Sequence, residues 1–376
     1  MSDTQPPKAD RKQHPFYTYD MIYEIPQSIT DTLRNMREKT SKIAAKINKS
    51  KRCHFTGCGT AFFSSMLGAQ VIQLNPTSNI ESACIQALEF QTYKNQISKS
   101  DVTIAISHSG ITKTTVDALN LAKMKGSYCA AITHFDKTPL SQVAHEAIIV
   151  GNSPDKSKCH TKCYVASAIA CTKLLLEAVK GNRMSERLTK MEKEIERLPE
   201  TISRVLTDTD PICKKIANEL SGTDYYFAGA GPNYPNALEA ALKILETSFV
   251  PALGLQTEQL MHGPWVALDK ESVVVLLAPK GDYHKRSLEL AKAAHALKVP
   301  LISIVEKGDE EFSPFSNHVI QVPQTDEYLS PYLNIIPLYL LAYYSSLRRG
   351  HNPDMLRYET PEYWGARQII FPPGTH

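Results

Sequence analysis

The chain has 376 residues, 22% of them charged and 42% hydrophobic, with a net charge of +3. That is an ordinary globular composition, long enough for two domains with sizeable cores. The Lys and Arg are scattered rather than gathered in a stripe, which argues against nucleic acid, and no apolar run is long enough to cross a bilayer.

Residues 1–14 are rich in Pro, Lys and Gln and are expected to be disordered. They have no apolar leader region, and eight Cys without a leader predict free thiols in a reducing cytoplasm. From Tyr17 the spacing of Ile22, Ile25, Ile29, Leu33 and Met36 predicts an amphipathic arm of one or two helices. It would pack on the first domain or on a partner subunit, so that residues 1–48 form tail and arm.

Residues 49–185 alternate between the two periods. A strand at 53–56 ends in Gly57-Cys58-Gly59-Thr60 and leads to a helix over 62–74, and a short helix follows at 87–93. Val102-Thr103-Ile104-Ala105-Ile106 is a strand, followed by a turn and a helix to Lys125. Strands at 129–132 and 147–150 and a helix over 164–179 complete the unit. This order predicts a parallel sheet flanked by helices, with ligands at the carboxyl ends of the strands. The charged stretch 183–197, closed by Leu198-Pro199, reads as a surface helix bridging two domains, a linker over 186–215.

Residues 216–347 repeat the first unit. Phe55-Thr-Gly-Cys-Gly-Thr60 is echoed 172 positions later by Phe227-Ala-Gly-Ala-Gly-Pro232, and Asp101-Val-Thr-Ile-Ala-Ile 170 positions later by Glu271-Ser-Val-Val-Val-Leu. Two similar offsets in one order argue for an internal duplication. The apolar segment 335–344 contains Pro337 and reads as a buried helix, and residues 348–376 form a C-terminal tail.

The turn Ser107-His108-Ser109-Gly110-Ile111-Thr112-Lys113-Thr114-Thr115 joins a strand to a helix. First-turn N–H groups lack intrahelical partners, the helix dipole favours an anion, and five hydroxyls surround one point. Capping alone needs a single hydroxyl, so the turn predicts phosphate binding. Neither GxxxxGK[ST] nor a GxGxxG with a downstream acid occurs, which argues against an adenine nucleotide. The matching turn of the second unit, Ala278-Pro279-Lys280-Gly281-Asp282-Tyr283, has lost the hydroxyls and gained an acid.

In the second unit Glu239, Lys243 and Glu246 fall at i, i+4 and i+7, one polar stripe on a helix that is otherwise mostly Ala and Leu. Such a stripe belongs inside the protein or in a cleft. A carboxylate there is raised by desolvation and lowered by Lys243, the poise a proton shuttle needs. His262 lies on a Gly-Pro loop further on. Cys159-His160-Thr161-Lys162-Cys163 offers thiols and an imidazole, but no second ligand pair follows at zinc spacing, so no metal is expected.

Taken together and in order, these motifs resemble the double sugar isomerase (SIS) domain family over nearly the whole chain. The similarity is to the isomerase half of glutamine–fructose-6-phosphate amidotransferase and to stand-alone glucosamine-6-phosphate deaminases. Ile22-Tyr-Glu-Ile-Pro-Gln resembles the entry helix, Gly57 to Thr60 the first glycine loop, and Ser107 to Thr112 the phosphate loop. His160-Thr161-Lys162 stands for a usual Ser-Thr-Lys, and 237–246 with 258–264 match the catalytic segments. The resemblance implies two tandem doubly wound, flavodoxin-like parallel-sheet α/β domains with a helical N-terminal arm and a C-terminal tail. It implies that Ser107, His108, Ser109 and Thr112 hold a 6-phosphate with Thr60 nearby, and that Cys58, Gly59, Lys158 and His160 line the sugar. Glu246 would move a proton between C1 and C2, Lys243 would stabilise the developing oxygen or the amine, and His262 would open the ring. Family members supply that histidine from a neighbouring subunit, which implies a homodimer. Aldose–ketose exchange needs one base and an electrophile, and neither metal nor organic cofactor.

Several positions depart from the pattern. Ala61 replaces a Ser, Ile111 a Glu, Lys158 and His160 replace small or apolar residues, and the tail lacks the usual closing Leu-x-Lys. With no glutaminase domain ahead of the pair, the expected reaction is deamination of glucosamine 6-phosphate to fructose 6-phosphate. A fructosamine-6-phosphate deglycase is the near alternative, with Lys158 and His160 on the amino acid's carboxylate. A catalytically silent sugar-phosphate sensor is the distant one. A sensor would be free to lose Lys243, Glu246 and His262, and all three are present.

Overall fold

Val102-Thr103-Ile104-Ala105-Ile106 carries no charge and is buried along its length, as a central strand of a sheet covered on both faces must be. The structure is a computed structural model describing residues 6–72, 79–93, 96–180, 186–220 and 222–372. The first sheet contains β1 (Arg52–Gly57), β2 (Glu81–Gln86), β3 (Asp101–Ile106), β4 (Tyr128–Thr133) and β5 (Glu146–Ile149) in the order β2-β1-β3-β4-β5. The second contains β6 (Asp224–Gly229), β7 (Ala252–Gln256), β8 (Ser272–Ala278), β9 (Leu301–Glu306) and β10 (His318–Val322) in the order β7-β6-β8-β9-β10. Every strand pairing is parallel, so both halves are the same doubly wound 2-1-3-4-5 unit. This is the α/β architecture expected from the alternating pattern. Among the described residues no helix is long and apolar enough to cross a membrane, and all eight cysteines are unpaired.

The arm is three successive helices rather than one or two: α1 (Tyr17–Tyr23), α2 (Ile25–Asn35) and α3 (Arg37–Asn48). Ile22, Ile25, Ile29 and Met36 are buried as their spacing requires. The segment from Pro6 to Pro15 is irregular but docked, a correction to the disorder expected of its composition. His14 Nδ1 lies 2.7 Å from the Tyr343 hydroxyl, the Arg11 carbonyl accepts from Asn352, and the Arg11 guanidinium lies 4.1 Å over the Tyr17 ring. Residues 1–5 lie outside the described residues.

In the first half, α4 (Thr60–Val71), α5 (Ala87–Tyr93), α6 (Lys113–Met124) and α7 (Pro139–Val143) connect the strands, and α8 (Lys162–Val179) crosses over the sheet's face. The predicted end of α4 at Leu74 falls outside the described residues. The linker is α9 (Glu186–Glu219), one helix that runs through Pro199 and Pro211 instead of stopping at the first. Its buried stripe, Leu188, Met191, Ile195, Leu198, Ile202 and Val205, continues across Pro199. That continuous burial outweighs the ~3 kcal/mol that an interior Pro costs. The predicted helix therefore packs along an apolar face, and its start at 183–185 lies outside the described residues.

The second half adds α10 (Tyr234–Thr247), α11 (Thr257–Met261), α12 (His284–Ala296), α13 (Ser330–Arg348) and α14 (Pro361–Ile370). The apolar segment around Pro337 is the middle of α13, buried almost throughout. Helix α10 packs on α13 and reaches across to α4, which brings the polar stripe of the second half against the glycine turn of the first.

Candidate active site

A 2-1-3-4-5 sheet reverses its winding between β1 and β3, and the turns leaving those strands flank the resulting crevice. In the first half these are Gly57 to Thr60 and Ser107 to Thr112. Gly59 has φ +53 and Gly110 φ +70, both in the left-handed region. A Cβ on Gly110 would also meet Thr138 Oγ1 at 2.3 Å. Ser107 Oγ lies 3.0 Å from Thr112 Oγ1 and accepts from the Gly110 N–H at 3.1 Å. Thr112 occupies the N-cap of α6 yet makes no capping bond with its side chain. The hydroxyl is turned to its neighbour Ser107, so it caps none of the first-turn N–H groups of α6. The Cys58 sulfur, 3.7 Å from Thr115 Oγ1, ties the two turns together.

In the second half an aromatic ring stands against the glycine turn. A Cβ on Gly231 would meet the Tyr283 ring at 2.7 Å. The Tyr283 ring of the β8 turn thus packs on Gly231, where the first half has no such aromatic.

A cavity of about 360 Å³ opens between the two first-half turns. It is lined by Cys58, Gly59, Thr60, Ser107, His108, Ser109, Thr112, His160 and Glu246, together with Ala61, Phe135 and Cys163. The fold thus gathers most of the expected site residues around one space. Lys243 lies directly behind it, 1% exposed, with Nζ 2.7 Å from Glu246 Oε2 and 3.3 Å from Glu239 Oε1. Lys158 is not among the lining residues; its side chain is exposed and its N–H donates to the Asp354 carbonyl at 3.0 Å. His262 is also elsewhere, 71% exposed on its loop, with Nε2 2.8 Å from Glu258 Oε1.

Glu239 belonged to the stripe that the sequence singled out, but its surroundings were not visible there. It is fully buried, accepting from Thr60 Oγ1 at 2.9 Å and from the Tyr339 hydroxyl at 3.2 Å. Burial pushes its carboxyl up to about 7, against the pull of Lys243. Burial alone would lower Lys243, but Glu239 and Glu246 more than reverse this and hold it above its ordinary value. One buried ammonium thus lies between two carboxylates. Because Glu239 binds its proton more tightly folded than unfolded, its contribution to stability is complete below about pH 4.5 and is lost as pH rises through about 7. From pH 5 to 8 the wild type should therefore lose unfolding free energy relative to Glu239→Gln, by up to about 1.4 kcal/mol per pH unit. Parallel stability curves in urea titrations across that range would contradict this.

A second cavity of about 520 Å³ shares Glu246 with the first. Its walls are Phe249, Val250 and Pro251 on one side and Leu356, Arg357, Tyr358 and Tyr363 of the tail on the other. The Arg357 guanidinium lies 4.1 Å over the Phe249 ring and donates to the Tyr363 hydroxyl. Leu356 and Arg357 have φ +53 and +61, a left-handed pair without glycine. No sequence signal marked this space, because it forms only where the tail folds back beside the end of α10.

Residues 46–176 and 223–349 match the model of the SIS domain. Among curated relatives, the glutamine–fructose-6-phosphate aminotransferase (isomerizing) of Thermococcus kodakarensis is 29% identical over 354 residues, 93% of this chain and 58% of the relative. The enzyme of the same name from Pyrococcus horikoshii is 31% identical over 350 residues, again 93% and 58%. The chain thus spans under two thirds of the length of these relatives. Among solved structures, the C-terminal domain of glucosamine-fructose-6-phosphate aminotransferase from Francisella tularensis superposes with a TM-score of 0.82 at 22% identity, over 91% of this chain and 98% of that one. Tagatose-6-phosphate ketose/aldose isomerase from Escherichia coli gives 0.76 at 17% identity, over 94% and 98%. At such identities the structural likeness concerns the fold.

Proposed function

We propose, from the premise that the chain belongs to the SIS domain family, that it transfers a proton between C1 and C2 of a 6-phosphorylated aminosugar, converting glucosamine 6-phosphate and water to fructose 6-phosphate and ammonia. The observation that carries the reading is the position of Glu246. It is the carboxylate on the cavity that also holds the Ser/Thr turn, and an ammonium lies 2.7 Å behind it.

Ser107, Ser109, Thr112 and the first-turn N–H groups of α6 bind the 6-phosphate, with His108 and Thr60 beside it. Cys58, Gly59 and His160 border the sugar. In the open-chain aldehyde, Glu246 removes the C2 proton while Lys243 stabilises the charge that develops on the C1 oxygen. The C1 oxygen takes up a proton from solvent and the same carboxylic acid returns the carbon proton to C1, while the nitrogen lone pair forms the C2 imine. Water hydrolyses that imine to the ketone and ammonia. Glu239 is a positioning residue that holds Lys243 and Thr60 across the junction of the two halves. His262, exposed on its loop, would open the ring of a substrate bound in a second copy, so a homodimer is part of the proposal.

The second cavity favours one other reading. A substrate carrying an amino acid on its amine would extend past Glu246 toward Arg357, which can pair with a carboxylate. Arg357, rather than the outlying Lys158, is the cation for such a fructosamine-6-phosphate deglycase. The test is to incubate the chain with glucosamine 6-phosphate, galactosamine 6-phosphate and fructose-amino-acid 6-phosphates, and to measure ammonia, fructose 6-phosphate and free amino acid. Equal ammonia and fructose 6-phosphate from glucosamine 6-phosphate is the expected result. Release of free amino acid without ammonia would transfer the assignment to the deglycase. Tight binding of the sugar phosphates with no product from any would overturn both.

A further inference from the structure

His108 lies near the start of the turn after β3 and His160 and Cys163 bracket the start of α8, more than fifty positions away in sequence, yet they meet at one wall of the first cavity. One ligand atom from each lies within 4.8 Å of the others. We propose that His108, His160 and Cys163 bind one zinc-class divalent cation.

The donor set selects the metal: two imidazoles and a thiolate suit a borderline-soft cation and not magnesium or calcium. Tetrahedral zinc would hold these atoms about 3.3–3.8 Å apart, within reach of small side-chain adjustments. Three protein donors would leave a fourth position open, and all three residues line the cavity.

Two further observations point to a ligand. His108 Nε2 is buried with no hydrogen-bond partner among the described residues, as are both ring nitrogens of the adjoining His134. Buried polar atoms are ordinarily satisfied, and an orphaned imidazole nitrogen is a metal donor in waiting. Asp155, with no side-chain exposure, lies 3.4 Å from His160 Nδ1 and accepts from the Thr161 N–H at 2.9 Å. The contact makes no hydrogen bond, so His160 Nδ1 is itself a buried ring nitrogen without a hydrogen-bond partner among the described residues, as His108 Nε2 is.

The proposal does not depend on the reaction above; it concerns metal binding whether or not a sugar phosphate turns over. Full-length protein, reduced and freed of metal with EDTA, is titrated with Zn²⁺ by equilibrium dialysis and elemental analysis, and separately with Co²⁺ under an absorption spectrum. The expected result is one tightly bound equivalent of zinc and a thiolate-to-cobalt charge-transfer band in the wild type. Cys163→Ser should abolish the band, and both Cys163→Ser and His160→Ala should weaken zinc binding about tenfold or more. His284→Ala, in the separate His284, Asp309 and Glu311 group, should change neither. No stoichiometric uptake by the wild type, or a cobalt complex without thiolate absorption, would overturn the site without reference to any variant. Uptake unaltered in both Cys163→Ser and His160→Ala would overturn it as well.

Discussion

Glu246→Gln is expected to cut turnover by about 10³-fold while leaving affinity for a sugar phosphate within about threefold of the wild type. The amide keeps the length of the side chain and can still accept from Lys243 Nζ, which lies 2.7 Å from Oε2 in the native chain, but it cannot take a proton from carbon. Binding rests on a different sheet, in the Ser107 to Thr112 turn, and should not feel the change. Steady-state rates beside calorimetric binding of a sugar phosphate separate the two quantities. Undiminished turnover would remove Glu246 from the mechanism. A parallel loss of binding and turnover would make it a binding residue instead.

Lys243→Met is expected to cost about 3–5 kcal/mol of folding stability and to abolish turnover. Lys243 is 1% exposed and lies between Glu246 and the fully buried Glu239, so its removal strips Glu246 of its cation and leaves Glu239 to stay protonated or to carry an uncompensated buried charge. Adding Glu239→Gln should recover part of the loss, most of all above pH 7, where the acid would otherwise be driven toward its charged form. A non-additive double-mutant cycle in urea unfolding is the expected signature. A single-variant cost under about 1 kcal/mol would mean that water or protonation already neutralises the cluster.

The alternation of strand and helix was legible because each period is local, and the duplication showed as two nearly equal offsets. The phosphate turn and the Glu239, Lys243 and Glu246 stripe were legible for the same reason: turn chemistry and helical spacing are properties of short windows. What the sequence concealed depends on distant partners. β2, Glu81–Gln86, is an edge strand with mixed exposure and no clean alternation, so it carried no strand signal. α9 passes through two prolines because the buried face on either side holds it. The partners of Glu239, Thr60 and Tyr339, stand 179 and 100 positions away, so helical spacing could place the stripe indoors but not name what surrounds it. The cavity at Arg357 exists only because the tail returns to the end of α10.

The most direct test of the central claim is solvent deuterium exchange. The chain is incubated in D₂O with fructose 6-phosphate and with glucosamine 6-phosphate, and the C1 and C2 positions are followed by NMR. Deuterium entering C1 of fructose 6-phosphate or C2 of glucosamine 6-phosphate with the wild type, and with Glu246→Gln at the uncatalysed rate, is the predicted result. Saturating binding of both sugar phosphates with no exchange at either carbon would contradict the proton-transfer account.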